Sequence, residues 1–374
     1  MNFQTIHIVS FSVPFPADYG GAIDVFHKIK AFQKAGVDVI LHCFQYDRPQ
    51  ANELLEYCKE VHYYKRNMNP FFLLSSEPFI VCSRKNTSLI KRLEQDTHPI
   101  LLEGLHSCAV LKSIRPTNRQ IIIRSHNIEH DYYKHLATVE KKALKRAYFT
   151  WESAKLKKYE SVVFPLASEI LGISAKDTVY LNKQYQKGIE VSAFHQFDSV
   201  RESVNKVKKG FAFYHGNLSI GENNEAALYL VQQVFTKTNY PLIIAGSKPS
   251  KELIEACQKQ SHVTLLSDIS SNDIMQYLQD AQINVLPTFQ STGIKLKLLA
   301  ALFSGKHCLV NLPMVEGTGL EHLCVVKISS AEFAHSIDKL AETEYDPVQI
   351  QIRKEVLKPF SNDVGIQKIL ESIK

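Results

Sequence analysis

The chain has 374 residues, 44 Lys and Arg against 38 Asp and Glu, and 45% hydrophobic residues. That length is expected to divide into two domains, and no run is apolar for the length of a membrane span. The net charge of +6 is modest and its excess, in residues 134–158 and 206–209, reads as a solvated helix face and a charged linker; no nucleic-acid partner is expected.

In chain order, residues 6–11 read as a buried strand and 14–21 as a loop. Residues 22–35 carry helical apolar spacing ended by Gly36, and 37–42 form the next strand, which completes a β-α-β unit. Strands are expected at 61–64, 100–102 and 120–123, a long amphipathic segment at 141–160, and a short strand at 169–174. Residues 183–210 are polar, charged and aperiodic, and read as the domain linker. The alternation then restarts: strands at 211–215, 242–245, 263–266 and 283–287, with helices at 224–235, 251–260 and 271–281 between them. Two such halves predict an α/β fold of two Rossmann-like doubly wound domains. The start reads straight into a strand, with no signal peptide expected. Seven scattered cysteines without a Cys-x-x-Cys pair suit a reduced cytoplasm.

Residues 291–306 hold the most informative pattern. A small polar turn, Ser291-Thr292-Gly293, follows a strand and opens a helix whose first turn carries Lys295 and Lys297. Free N–H groups and the helix dipole favour an anion there, and the lysines add fixed positive charge. The segment resembles the donor loop of the group 1 (family 4-like) glycosyltransferases of GT-B fold, whose usual form reads Gly-Ile-Arg-Leu-Lys-Val-Leu-Glu-Ala.

The resemblance runs through nearly the whole chain. It implies a GT-B fold with two domains facing a central cleft: an acceptor-side domain over 1–188, with the carboxy-terminal helix (355–374) packing back on it, and a donor-binding domain over 189–354. Gly20 and Gly21 resemble the acceptor-side loop. The segment Arg124-Ser125-His126-Asn127-Ile128-Glu129 resembles a His-Asn-x-Glu segment of one branch, and Glu103 and His106 follow a strand that would line the same place. His126 at a strand's carboxyl end is a candidate to hold a sugar hydroxyl or help a phosphate leave. On the donor side the resemblance marks Gly216, Asn217, Gly246 and Asp268. It also marks Thr292, Gly293 and Ile294, then Lys295 and Lys297 at the family arginine and lysine, and Glu316 with Gly317 in the following loop. His126 and Lys297 are the catalytic candidates.

The family commonly keeps one or two glutamates where this chain has Thr292 and Ala300, so ribose recognition would fall to Glu316. Asp-x-Asp is absent, which points to charge neutralisation by lysine and helix dipole rather than by a divalent metal. No Walker loop or Gly-x-Gly-x-x-Gly occurs either. No cofactor is called for.

The resemblance implies sugar transfer from a nucleotide-diphosphate sugar to an acceptor hydroxyl, retaining and metal-independent, in glycan or polysaccharide biosynthesis. The expected partners are the donor, a sugar or lipid-linked glycan acceptor, and weak peripheral contact with the inner membrane face. Two alternatives stand beside it: a non-catalytic sugar-nucleotide-binding member lacking the glutamates, and a zinc metallopeptidase through His126-x-x-Glu129-His130. A sugar-nucleotide 2-epimerase would share the fold.

Overall fold

The computed structural model describes residues 4–114, 118–202, 210–289 and 296–373. The chain forms two compact units, Met1–Gln196 with Asn362–Lys374, and Phe197–Ser361.

The first unit is built on seven parallel strands: β1 (Thr5–Ser10), β2 (Asp38–Gln45), β3 (Glu60–Lys65), β4 (Ile100–Glu103), β5 (Ile121–Ser125), β6 (Glu169–Gly172) and β7 (Gly188–Glu190). Their order is β3-β2-β1-β4-β5-β6-β7. β1 is buried along its whole length, as a parallel strand covered on both faces must be. One face packs on helix Gly20–Lys34 through Val25, Ile29 and Phe32; the other packs on helix Ala143–Val163 through Leu156 and Val163. The strand order reverses between β1 and β4, so loops after those strands diverge and leave room for a ligand at their carboxyl ends.

The second unit repeats the plan with six parallel strands: β8 (Ala212–His215), β9 (Leu242–Gly246), β10 (Val263–Ser267), β11 (Ile283–Leu286), β12 (His307–Val310) and β13 (Val325–Val326). Their order is β10-β9-β8-β11-β12-β13, reversing between β8 and β11. Helix Leu296–Ser304 covers the sheet with Leu298, Leu299, Ala301 and Leu302.

Several boundaries differ from expectation. The segment read as a linker holds the end of helix Ala175–Tyr185 and β7, which pairs with β6. Val191 and Phe194 then insert into the first core, so the first unit runs to 196 rather than 188. At the other end, Leu357 and Phe360 belong to the second core, and the return begins at 362 rather than 355. Helix Asn362–Ser372 packs Ile366 and Ile369 into the first unit's core with Ile29 and Phe32. The segment read as one amphipathic run is preceded by a separate helix, Glu129–Val139. Among the described residues no helix is long and apolar enough to cross a membrane.

Candidate active site

In the first unit the carboxyl ends of β1, β4 and β5 meet a charged cluster with no place in an apolar core. Asp24 and Lys28 lie one turn apart on the buried face of helix Gly20–Lys34. Lys28 Nζ donates to Asp24 Oδ2 at 2.9 Å and to Glu103 Oε1, at the end of β4, at 2.7 Å. Arg124, opposite Glu103 in the β4–β5 register, donates from Nη2 to Asp24 Oδ1 at 3.2 Å. The Phe194 N–H donates to the same oxygen at 2.7 Å. Arg124 also donates to the carbonyls of Val191 and Ser192 at 2.5 and 3.0 Å, tying the chain after β7 to the cluster. Two carboxylates and two permanent cations, each fully buried, balance each other. Burial opposes ionisation of Asp24 and Glu103, yet the adjacent cations outweigh it and hold both carboxyls below their usual range.

His126 follows β5 directly, at the strand's carboxyl end, as the sequence predicts. Its Nε2 lies 2.8 Å from Glu103 Oε2 and its Nδ1 lies 3.6 Å from Asp24 Oδ2. A ring with both nitrogens facing carboxylates is held in orientation. Glu103, expected to line the acceptor side, is fully buried behind His126, its oxygens taken by Lys28 and the histidine. Its carboxylate therefore reaches Lys28 and His126 rather than solvent.

Phe11, just past β1, packs its ring 5.4 Å from those of both His106 and His126. A Cβ on Gly21 would lie 2.7 Å from the tip of the Phe11 ring, so a larger residue there would have to displace that ring. Gly104 has φ of +71°, and this left-handed turn carries the chain from β4 to His106. Gly20 opens the helix and is exposed.

The zinc-peptidase alternative does not survive the geometry. His126 lies on the turn, whereas His130 lies inside helix Glu129–Val139 with its Nδ1 3.1 Å from Glu160 Oε2. Among the described residues, the metal-capable trio of His, Cys and acidic groups joins His126 to Asp24 and Glu103, not to His130. Lys28 and Arg124 already occupy that trio's carboxylates, so a divalent cation would meet two fixed positive charges.

The second unit is built differently. Lys297, in the first turn of helix Leu296–Ser304, donates to Asn223 Oδ1 at 2.8 Å and lies 4.9 Å from the centre of the Tyr214 ring. Asn223 in turn donates to the Asn217 carbonyl at 3.0 Å, and Asn217 Oδ1 accepts from Ser219 N and Oγ. The turn after β8 is thus cross-braced to the lysine. A Cβ on Gly216 would meet the Asn223 side chain at 3.2 Å; one on Gly246 would meet the Gly216 carbonyl oxygen at 2.0 Å. Gly246 is accounted for by packing of the β9 turn on the β8 turn, and Gly216 by packing on Asn223 of helix Gly221–Tyr229. Sequence reasoning missed His215, the last residue of β8, whose shielded Nε2 has no hydrogen-bond partner. Burial, then Lys297, lowers its pKa to about 3, so it is neutral.

Asp268 is exposed after β10 at φ of 56°, and Glu316 is exposed after the turn Leu312–Val315, followed by Gly317 at φ of 75°. Ala300 is buried with Phe213, Ala245 and Leu278, in apolar surroundings that offer a carboxylate no partner. Thr292, Gly293, Ile294 and Lys295 lie outside the described residues.

Comparison with known proteins agrees with this plan. Residues 211–343, inside the second unit, match the family model described as glycosyl transferases group 1. A curated relative, the "uncharacterized 44.6 kDa protein in cps region" of Klebsiella pneumoniae, is 24% identical over 334 residues, 85% of each chain. The structure of TarM aligns over 100% of this chain and 99% of its own, with a TM-score of 0.71 at 10% identity. The lipopolysaccharide outer core galactosyltransferase WaaB aligns over 99% and 98%, with a TM-score of 0.63 at 14% identity. A glycosyltransferase from Rickettsia africae aligns over 99% and 98%, with a TM-score of 0.62 at 15% identity. At these identities the structures speak for the fold alone: the chain has the two-domain α/β fold of the GT-B glycosyltransferases, and its second unit matches the group 1 glycosyltransferase family model.

Proposed function

We propose that the protein transfers a sugar from a nucleotide-diphosphate-sugar donor to an acceptor hydroxyl, with retention at the anomeric carbon and without a metal ion. In the reaction the bond from the anomeric carbon to the phosphate oxygen breaks, and a bond to the acceptor oxygen forms. The acceptor proton leaves with the diphosphate. The costly species is the departing diphosphate, and a fixed, oriented cation is the economical way to stabilise it. The observation that carries this reading is Lys297, braced by Asn223 beside the β8 turn in the family-matched unit. Thr292, Gly293, Ile294 and Lys295, which precede its helix in sequence, are assigned to the donor phosphates. Gly216, Asn217 and Gly246 are assigned to the floor beneath the donor, and Asp268, Glu316 and Gly317 to its nucleoside. With Ala300 buried in an apolar cluster, the ribose carboxylate role falls to Glu316.

In the first unit, His126 held by Glu103 orients the reacting hydroxyls, and Gly20, Gly21 and His106 flank the acceptor. The neutral Lys28–Asp24–Glu103–Arg124 cluster supports metal independence, because its carboxylates already have their cations. A solved TarM complex contains fondaparinux, α-GlcNAc-glycerol and UDP, and a relative comes from a cps region; both support a glycan acceptor in polysaccharide assembly.

Peripheral membrane contact is also part of the proposal. Phe71 and Leu74 are about three-quarters exposed (74% and 75%), and Lys155 joins their turn to exposed Trp151 by donating to the Leu73 and Ser75 carbonyls. Exposed Leu144, Lys145 and Arg146 lie further along the same helix. Apolar side chains among lysines and arginines suit an anionic lipid surface, at the inner face of a membrane.

The test is a thermal-shift screen against UDP, GDP, ADP and their sugar conjugates, with and without EDTA. One nucleotide raising the melting temperature equally in both conditions supports the proposal; no response to any nucleotide contradicts it.

A further inference from the structure

Near His126 the first unit holds two guanidinium groups with no carboxylate in ion-pair contact among the described residues. Arg84, on the turn after helix Phe79–Cys82, is buried, with Nε donating to the Phe11 carbonyl at 3.0 Å and Nη1 to the Ile80 carbonyl at 2.8 Å. Arg66, just past β3, donates from Nε to Ser83 Oγ at 2.9 Å, one residue from Arg84. Neither has a carboxylate within ion-pair distance among the described residues, although most other arginines in this unit do. Their hydrogen-bond partners are neutral, Arg66 also stacks over the Tyr46 and Phe79 rings, and Arg66 raises the cost of the charge on Arg84. Glu129, a carboxyl in the same electrostatic neighbourhood, is pushed up to about 8, by burial first and Glu160 second, so it is mostly protonated at neutral pH.

His106 faces the same place. Its Nδ1 is shielded from solvent and has no hydrogen-bond partner, and Arg84 is the strongest charge acting on it. Phe11 links the parts: its carbonyl holds Arg84 while its ring packs on His106 and His126. The group therefore stands at the carboxyl ends of β1, β3 and β4, running from the sheet's β3 edge to the switch point between β1 and β4. A buried guanidinium with only neutral partners, and a second one beside it, is costly, and guanidinium forks match the oxygens of phosphates and carboxylates.

We propose that Arg66, Arg84 and His106 form an oxyanion subsite, and that the acceptor sugar carries a phosphate or carboxylate group bound there. This rests on the reading of the first unit as the acceptor side, and it adds the acceptor's chemical class. The subsite fixes the acceptor's register next to His126 while leaving its reacting hydroxyl neutral.

The test is a ligand-observed NMR titration of the full-length protein with inorganic phosphate, glucuronate and, as the neutral control, glucose. The wild type is compared with Arg66→Met, Arg84→Met and Lys297→Met. At least one anion is expected to bind on the order of tenfold more tightly than glucose, to lose on the order of tenfold in Arg66→Met, and to be unaffected by Lys297→Met. Phosphate as the preferred anion assigns a phosphorylated acceptor, and glucuronate an acidic sugar. Arg66 is only partly buried, so its variant is the reference if Arg84→Met fails to fold. Equal binding of anions and glucose, anion binding insensitive to both arginines, or binding lost only in Lys297→Met overturns the inference. Because binding is read without turnover, a failure of sugar transfer leaves this result standing, and the reverse also holds.

Discussion

The two sheets share a parallel plan and a strand-order reversal, yet their carboxyl edges are built from different materials. In the first unit the edge is a buried lattice of charge, in which Lys28, Asp24, Glu103 and Arg124 satisfy one another and orient His126. In the second it is a pair of tight glycine turns braced to a lysine. Buried ion networks depend on every partner being present, so they lock geometry and fail together. The glycine-turn edge stores little charge and leaves its cation close to backbone. One edge is suited to positioning, the other to meeting a charged ligand.

The largest effect expected from this contrast is on stability. Asp24→Ala leaves Arg124 and Lys28 buried without a shared carboxylate and is expected to cost about 3–5 kcal/mol, read from urea melts. A cost under about 1 kcal/mol would show that the lattice is not the structural lock described. Lys297→Met is expected to do the opposite: a melting temperature within a few degrees of wild type, with turnover lower by about 10²–10³. Equal damage to folding and turnover would erase the distinction between the edges. Gly246→Ala is expected to destabilise by about 1–3 kcal/mol, since the new Cβ meets the Gly216 carbonyl oxygen at 2.0 Å and the turn must shift.

Much of this was legible in the sequence. The apolar runs of a parallel sheet and the restart of alternation after residue 210 predicted two doubly wound units, and the strand before His126 placed it at a sheet edge. The charged lattice was not legible. Asp24 and Lys28 have the spacing of an ordinary exposed helix pair, and nothing local says that they turn inward to Glu103 and Arg124, 75 and 100 residues away. Arg66 and Arg84 were hidden for the same reason, because a missing counter-ion is a property of the fold. The linker was misread because β7 is three residues long and pairs only at the sheet's edge, too short for periodicity to register.

The smallest expected effects concern pH, and they have opposite signs. His7 and His42, linked at 2.9 Å in the first core, have pKa values lowered mainly by burial. The unfolded chain, near pKa 6.5, takes up protons first, so their contribution is complete above about pH 6.5 and falls as pH drops. Glu129, raised to about 8 by burial, holds its proton when folded after the unfolded carboxyl, near pKa 4.3, has lost it; its contribution falls as pH rises. The Glu129→Gln variant should therefore gain stability over wild type between pH 5.5 and 7.5, on the order of 1 kcal/mol per pH unit. It should itself lose stability from pH 7.5 to 5.5, where the histidines dominate. A constant difference between the two proteins across that range would contradict the burial of Glu129.

The most direct test of the account is release of nucleoside diphosphate from the nucleotide sugar chosen by the thermal screen, measured with an anionic sugar acceptor in excess EDTA, for wild type and Lys297→Met. The account predicts acceptor-dependent release by the wild type at a rate unchanged by EDTA, and release lower by about 10²–10³ in the variant. Release abolished by EDTA, or equal in both proteins, would contradict it.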